Sequence, residues 1–253
     1  MRALLKKNLQ EYYRTWRIWA WVGIFAFIAL TGPLTARYTS EILKFIGGEK
    51  LEALAATSSD AATHTSANQQ WLHDLSQIGA IVVVVVFATA LCNDLADGSF
   101  VFTLTRAISR SEFLATKLAT FFAMFLTITM LSVTTNLLVT YMVFGKISLL
   151  NSMMITITWG FQLMPAIAMS LLIGVSSFSA TGASISGIAT FLSFNMIASI
   201  EFFQKWTPAG TANIAANYAM DREPELAWPI IASILMSLVL LTISIYHFNQ
   251  REL

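Results

Sequence analysis

The chain has 253 residues, 56% hydrophobic and 11% charged, with a mean hydropathy of +0.67 and a net charge of +1. A soluble domain carries about 25% charged residues, so this composition excludes an ordinary soluble protein and points to a membrane. The near-neutral balance gives no electrostatic basis for nucleic-acid binding, and the single cysteine, Cys92, excludes an internal disulfide or a cysteine-built metal cluster.

Residues 1–17 are basic and amphipathic. Leu5, Leu9, Tyr12, Tyr13 and Trp16 fall near one helical face, while Lys6, Lys7, Arg14 and Arg17 occupy much of the rest. Such a helix lies in the membrane interface with its apolar side at the acyl boundary. The segment is too polar for a signal-peptide core, and no small-residue cleavage site follows. The first span is therefore expected to be retained. That span is predicted over 17–36, with Trp19, Trp21, Phe25 and Phe27 along it and Gly32-Pro33 at its outer end. About 20 apolar residues suffice to cross the hydrocarbon.

Residues 37–74 are rich in Ala, Thr and Ser and read as an extracellular loop, with a helix over 39–56. His64 and His73 are spaced too widely, without a cysteine, to suggest a metal site. A second span is predicted over 75–92, centred on five valines, 82–86. In lipid only helices and closed barrels satisfy the backbone, and the neighbouring spans argue for a helix.

The stretch 93–117 carries Asp94, Asp97, Arg106, Arg110, Glu112 and Lys117 between two apolar runs. Charge at the bilayer centre costs several kcal/mol, so these groups must lie in water or against a partner. Phe100, Leu104 and Ile108 recur at i, i+4 and i+8, one face of a short helix. A third span follows over 114–142, its outer half made polar by Ser132, Thr134, Thr135 and Asn136, which suit helix–helix hydrogen bonding. A fourth is predicted over 153–175, containing Gln162 and a kinking Pro165. A fifth, 182–200, carries Ala183 and Gly187 as a small-xxx-small pair for close packing. Residues 201–228 form a second extracellular stretch, and 229–248 a sixth span.

Lys and Arg concentrate in the N-terminal segment (Arg2, Lys6, Lys7, Arg14, Arg17), at Arg106, Arg110 and Lys117, and at Arg251. By the positive-inside rule both termini and the 93–117 loop are expected in the cytoplasm. No G-x-x-x-x-G-K-[ST] occurs to cradle a nucleotide, and no H-E-x-x-H. Residues 174–178 (GVSSF) and 182–186 (GASIS) lack the last Gly of a nucleophile elbow. No enzymatic activity is expected of this chain. The spans also lack the ladder of charged residues usual in a proton-coupled pump.

Asp97-Gly98-Ser99, then Ser109-Arg110, then Lys117, resembles the first cytoplasmic loop of ABC-2 type transporter permeases, the membrane subunits of bacterial ABC exporters. Their pattern is an acidic residue, Gly and a small hydroxyl residue, then a Pro-hydrophobic-Ser-Arg block, then a Lys opening the third span. Ala107 stands where the family often has Pro, which removes a helix-start signal.

The resemblance implies an all-α polytopic membrane protein of six transmembrane helices. It adds an N-terminal interfacial elbow helix and a cytoplasmic coupling helix, and a half-buried helical hairpin after the fifth span, where Thr207-Pro208 fits. It further implies a second permease copy or paralogue and a separate ATP-binding cassette subunit holding ATP and Mg. The coupling residues would be Asp97, Gly98, Phe100, Leu104, Ile108, Ser109, Arg110 and Lys117. The first and fifth spans, with Ala183 and Gly187, would build the permease–permease contact. With few charges along the spans, the expected cargo is amphiphilic or apolar. The alternative, from another class, is a non-transporting membrane scaffold, accessory or immunity protein.

Overall fold

The computed structural model describes residues 10, 14–58, 63–96, 109–224 and 227–250, with only the backbone described for 39–58 and Ala96. The predicted elbow helix (1–17) and the coupling segment (97–108) therefore fall largely outside the described residues. Among the described residues the structure is helical without strands. The order is α1 (Trp16–Ser58), α2 (His64–Asp74), a π-helical turn (Leu75–Gly79), α3 (Ala80–Ala96), α4 (Arg110–Phe144), α5 (Leu149–Ser177), α6 (Ala180–Ile197), α7 (Glu201–Trp206), α8 (Gly210–Ala219) and α9 (Trp228–Gln250).

Six of these helical stretches are long and apolar enough to cross a membrane: Trp16–Tyr38, His64–Leu95, Arg110–Phe144, Leu149–Ser177, Ala180–Ile197 and Trp228–Gln250. Charge placement supports the spans. Asp74 and Asp94 lie on the second span twenty residues apart, about 30 Å along a helix, which matches the hydrocarbon thickness. No Asp, Glu, Lys or Arg occurs between them, nor anywhere over 118–145 of α4 or 147–200 of α5 and α6.

The 37–74 stretch is not an open loop. α1 continues through it without a break to Ser58, and α2 follows from His64. The expected helix over 39–56 is thus a continuation of the first span's helix. Gly32-Pro33 does not end that helix, because Pro33 sits inside α1. Proline removes the donor that the carbonyl four residues earlier would receive. That carbonyl is Ala29 O, and Asn136 Nδ2 of α4 approaches it at 3.5 Å. One turn lower, Ser132 Oγ donates to Phe25 O at 2.9 Å. Ser132 and Asn136 are therefore interhelical, while Thr134 and Thr135 bond back to their own helix, to Met130 O and Leu131 O.

An aromatic stack ties α1, α3, α4 and α5 together. Trp21 stacks on Phe121 at 5.5 Å, Phe87 meets Phe121 edge-on at 4.8 Å, and Phe125 stacks on Trp159 at 5.9 Å. Trp21, Phe121 and Trp159 are fully buried. Such pairs add about 0.5–1.5 kcal/mol each beyond their area burial. The aromatics of the first span thus divide: Trp21 and Phe25 point into the bundle, whereas Trp19 and Phe27 are exposed on its surface.

α5 is the hub, packing against α3, α6, α8 and α9. Its neighbours approach closely because their facing residues are small. α9 turns Ser233, Ser237 and Ser244 inward and leaves Ile234, Leu235, Leu238 and Val239 outside. Gln162, buried in α5, donates to Asn195 Oδ1 of α6 at 3.2 Å.

Ala183 and Gly187 do not lie on a subunit face, contrary to the sequence expectation. Both are buried against α3 and α5. A Cβ on Gly187 would stand 2.6 Å from Val84 Cγ1, 3.0 Å from Ala166 O and 3.1 Å from Ser170 Cβ. The small residues are consumed by packing within one chain.

Candidate functional site

The described residues that flank 97–108 gather at one end of the bundle, where α1 begins, α3 ends, α4 begins and α9 ends. Ser109 caps α4: its backbone is extended (φ −71°, ψ 152°) and its Oγ accepts from Glu112 N at 3.2 Å. Ser109-x-x-Glu112 is a helix-start signal that was readable in the sequence. It places the start of α4 four residues before the predicted span. Lys117 consequently lies two turns inside α4, buried, where its ammonium pairs with Asp94 of α3.

Arg110, in the first turn of α4, reaches the other end of the chain. Its Nη1 donates to Phe248 O at 2.9 Å and to Asn249 O at 3.1 Å, and its guanidinium lies 6.0 Å from the Phe248 ring centroid. The last carbonyls of a helix lack internal donors and carry partial negative charge, so a cation there is favoured. Arg17, at the start of α1, donates to Thr89 O of α3 at 3.5 Å. With the Asn93 amide turned so that both its ends are satisfied, its oxygen accepts from Arg17 and its nitrogen donates to Thr89 O at 3.1 Å. Three basic side chains thus tie α1, α3, α4 and α9 around the two ends of the 97–108 segment.

Of the predicted coupling residues, Ser109, Arg110 and Lys117 belong to this cluster. Asp97, Gly98, Phe100, Leu104 and Ile108 lie outside the described residues.

The opposite end is built differently. His64 Nε2 and Asn151 Nδ2 both meet the Asp221 carboxylate, His64 at 3.0 Å, and so join α2, α5 and the turn after α8. Asp221 holds a left-handed backbone (φ 54°) to do so. Nearby, Lys205 donates to Glu201 at 2.7 Å and holds that carboxyl below its usual range; both are exposed. They line a polar cleft of about 460 Å³ together with Asn213, Asn217, Arg222 and Glu223. Among the described residues no group of three His, Cys, Asp or Glu side chains could hold a metal ion.

Within the span depth, two apolar clefts of about 320 and 330 Å³ lie along α4 and α5, the first bounded also by α9. Phe122, Phe161 and Met164 line both.

The six apolar helices, with charged layers at about the spacing of a bilayer, define a multi-pass helical membrane protein. The family described as "Protein of unknown function (DUF2705)" matches residues 39–253, and the chain belongs to that family. No curated protein and no solved structure matches it.

Proposed function

We propose that this chain is the permease subunit of an ABC-2 type exporter in the cell membrane, with both termini and the 97–108 segment in the cytoplasm. It moves an amphiphilic or apolar substrate outward, using ATP hydrolysed on a separate ATP-binding cassette subunit that carries the nucleotide and Mg. A second permease copy or paralogue completes the pore. The chain itself is not an enzyme.

The observation that carries this reading is the frame around 97–108. The segment leaves from α3 beside Asp94 and re-enters at the capped start of α4, whose Arg110 and Lys117 grip α9 and α3. A push delivered at the two ends of this segment, on α3 at Asp94 and on α4 at Ser109–Lys117, would reach the four spans tied there. The resemblance at Asp97-Gly98-Ser99, Ser109-Arg110 and Lys117 supplies the partner that would push. The apolar clefts at Phe122, Phe161 and Met164 fit an apolar cargo better than an ion.

Two experiments test it. In a Cys92-free background, Ser58→Cys should react with an impermeant thiol reagent added to intact cells, whereas Ser109→Cys should react only after permeabilisation. Outside labelling of Ser109→Cys would overturn the orientation. For coupling, Leu104→Ala truncates the centre of the proposed docking face. It is expected to weaken ATPase docking by about 2 kcal/mol or more, seen as lost co-purification or lost stimulation of hydrolysis, with membrane insertion intact. Arg110→Ala should weaken coupling less. Parent-like export and hydrolysis in both variants would make 97–108 a mere connection. A parent that captures no ATPase would favour the scaffold reading.

A further inference from the structure

We propose a monovalent-cation site, occupied by sodium, between the first three spans at the end of the bundle opposite Lys117. The reasoning rests on hydrogen-bond accounting around Gly32 and stands apart from the exporter reading.

Asp74 ends α2, and its side chain is only 15% exposed. A buried carboxylate is normally paired with a cation or coordinates a metal. Asp94, at the other charged layer, follows this rule through Lys117. Asp74 does not. Among the described residues its partners are the neutral amide of Gln70, 2.8 Å from Oδ1, and His73 Nδ1, 3.7 Å from the same oxygen. Arg37, one turn beyond Pro33 on α1, is directed elsewhere, to Val143 O.

The second oxygen of Asp74 points to the space that Gly32 leaves by having no side chain. Oδ2 lies 3.5 Å from the position a Gly32 Cβ would occupy, and Asn136 Nδ2 lies 3.6 Å from the same point. Asn136 is fully buried, and its Oδ1 has no hydrogen-bond partner. Ala29 O borders the same space. Pro33 has removed its helical donor, and Asn136 Nδ2 meets it only at 3.5 Å, the long limit of a hydrogen bond.

Asp74 Oδ2 and Ala29 O, from two spans, border this gap with no close donor, and the amide of Asn136, on a third, presents its nitrogen to it while its own buried oxygen, on the far side, has no partner. A buried amide oxygen left in this state calls for a water or an ion. The Asn136 amide has two orientations, a half-turn apart. In the orientation seen, Nδ2 faces the gap. Turned over, Oδ1 joins the carboxylate and the carbonyl. One negative charge with two neutral oxygens suits a hard ion of charge +1; it is too little charge for a calcium cage and holds none of the nitrogen or sulfur ligands zinc prefers. The π-helical turn that starts at Leu75, directly after Asp74, fits the pattern of such turns at functional sites.

The test is thermal unfolding of the purified full chain in detergent, in sodium chloride against choline chloride at equal ionic strength. Sodium should raise the melting temperature of the parent by about 3–6 °C once it exceeds its dissociation constant tenfold. Asp74→Asn should lose this response, and in choline it should melt at or above the parent, because an uncompensated charge is gone. Gly32→Ala keeps every ligand but fills the gap with a methyl group at ordinary contact distance, so it should fold and also lose the response. A trapped water would make the parent indifferent to the cation, and that result would overturn the site. So would an undiminished sodium response in Gly32→Ala and Asp74→Asn.

Discussion

Lys117→Ala is expected to destabilise the protein by about 3–5 kcal/mol, because it removes the ammonium that faces the mostly buried Asp94 carboxylate and leaves that charge in place. The effect is much larger than that of a surface pair, which is worth under about 1 kcal/mol. Asp94→Asn alone should also destabilise, since it leaves a buried ammonium. The double variant Asp94→Leu/Lys117→Met should recover much of the loss, as apolar replacement of a buried pair is often neutral. Thermal unfolding in detergent of the two single variants and of Asp94→Asn/Lys117→Ala, read as a double-mutant cycle, measures the coupling. Parent-like stability of Lys117→Ala would mean that the pair contributes nothing to holding α3 on α4.

Gly187→Leu is expected to abolish recovery of folded, monodisperse protein. Even the Cβ of Gly187→Ala would meet Ala166 O at 3.0 Å and Val84 Cγ1 at 2.6 Å. The valine methyl can move, but the carbonyl belongs to the backbone of α5. Overpacking of this kind costs about 1–3 kcal/mol for a small insertion, and a leucine adds three more carbons to it. Size-exclusion profiles and melting curves of both variants check this. The two positions for Gly187 are separable by experiment. A residue on a subunit face would change the dimer fraction and leave the melting temperature of the chain near the parent's. A residue inside the chain lowers the melting temperature first.

The spans were readable because their physics is one-dimensional: an apolar run of about 20 residues between charges has few other fates. What escaped was whatever depends on a second helix. Gly32-Pro33 looks like an ending because proline breaks the ladder of its own helix. It sits inside α1 all the same, with Asn136, a hundred residues later, beside the freed carbonyl. Ala183 and Gly187 announced close packing correctly in kind, but small residues do not say which neighbour they admit. Asp94 and Lys117 were visible as charges and invisible as a pair. The start of α4 was missed although Ser109 and Glu112 spell it out locally, because the span was counted from the apolar run, which begins only at Leu114. The frame at 93–117 was therefore legible as charge alone, and its cap and its grip on α3 and α9 came from the structure.

α1 has one further property, and it is mechanical. The helix runs for 43 residues, about 64 Å, roughly twice the depth of the hydrocarbon. It is pinned to α4 near its middle, where Asn136 meets Ala29 O and Arg37 donates to Val143 O. About 26 Å of helix lies between Trp16 and Pro33, and about 32 Å between Arg37 and Ser58. The two lengths are nearly equal, but among the described residues only the first is fixed to α3 and α4, at Arg17, Trp21 and Phe25. A shift of that packed frame would therefore be carried to Ser58 along a helix that has no break in between.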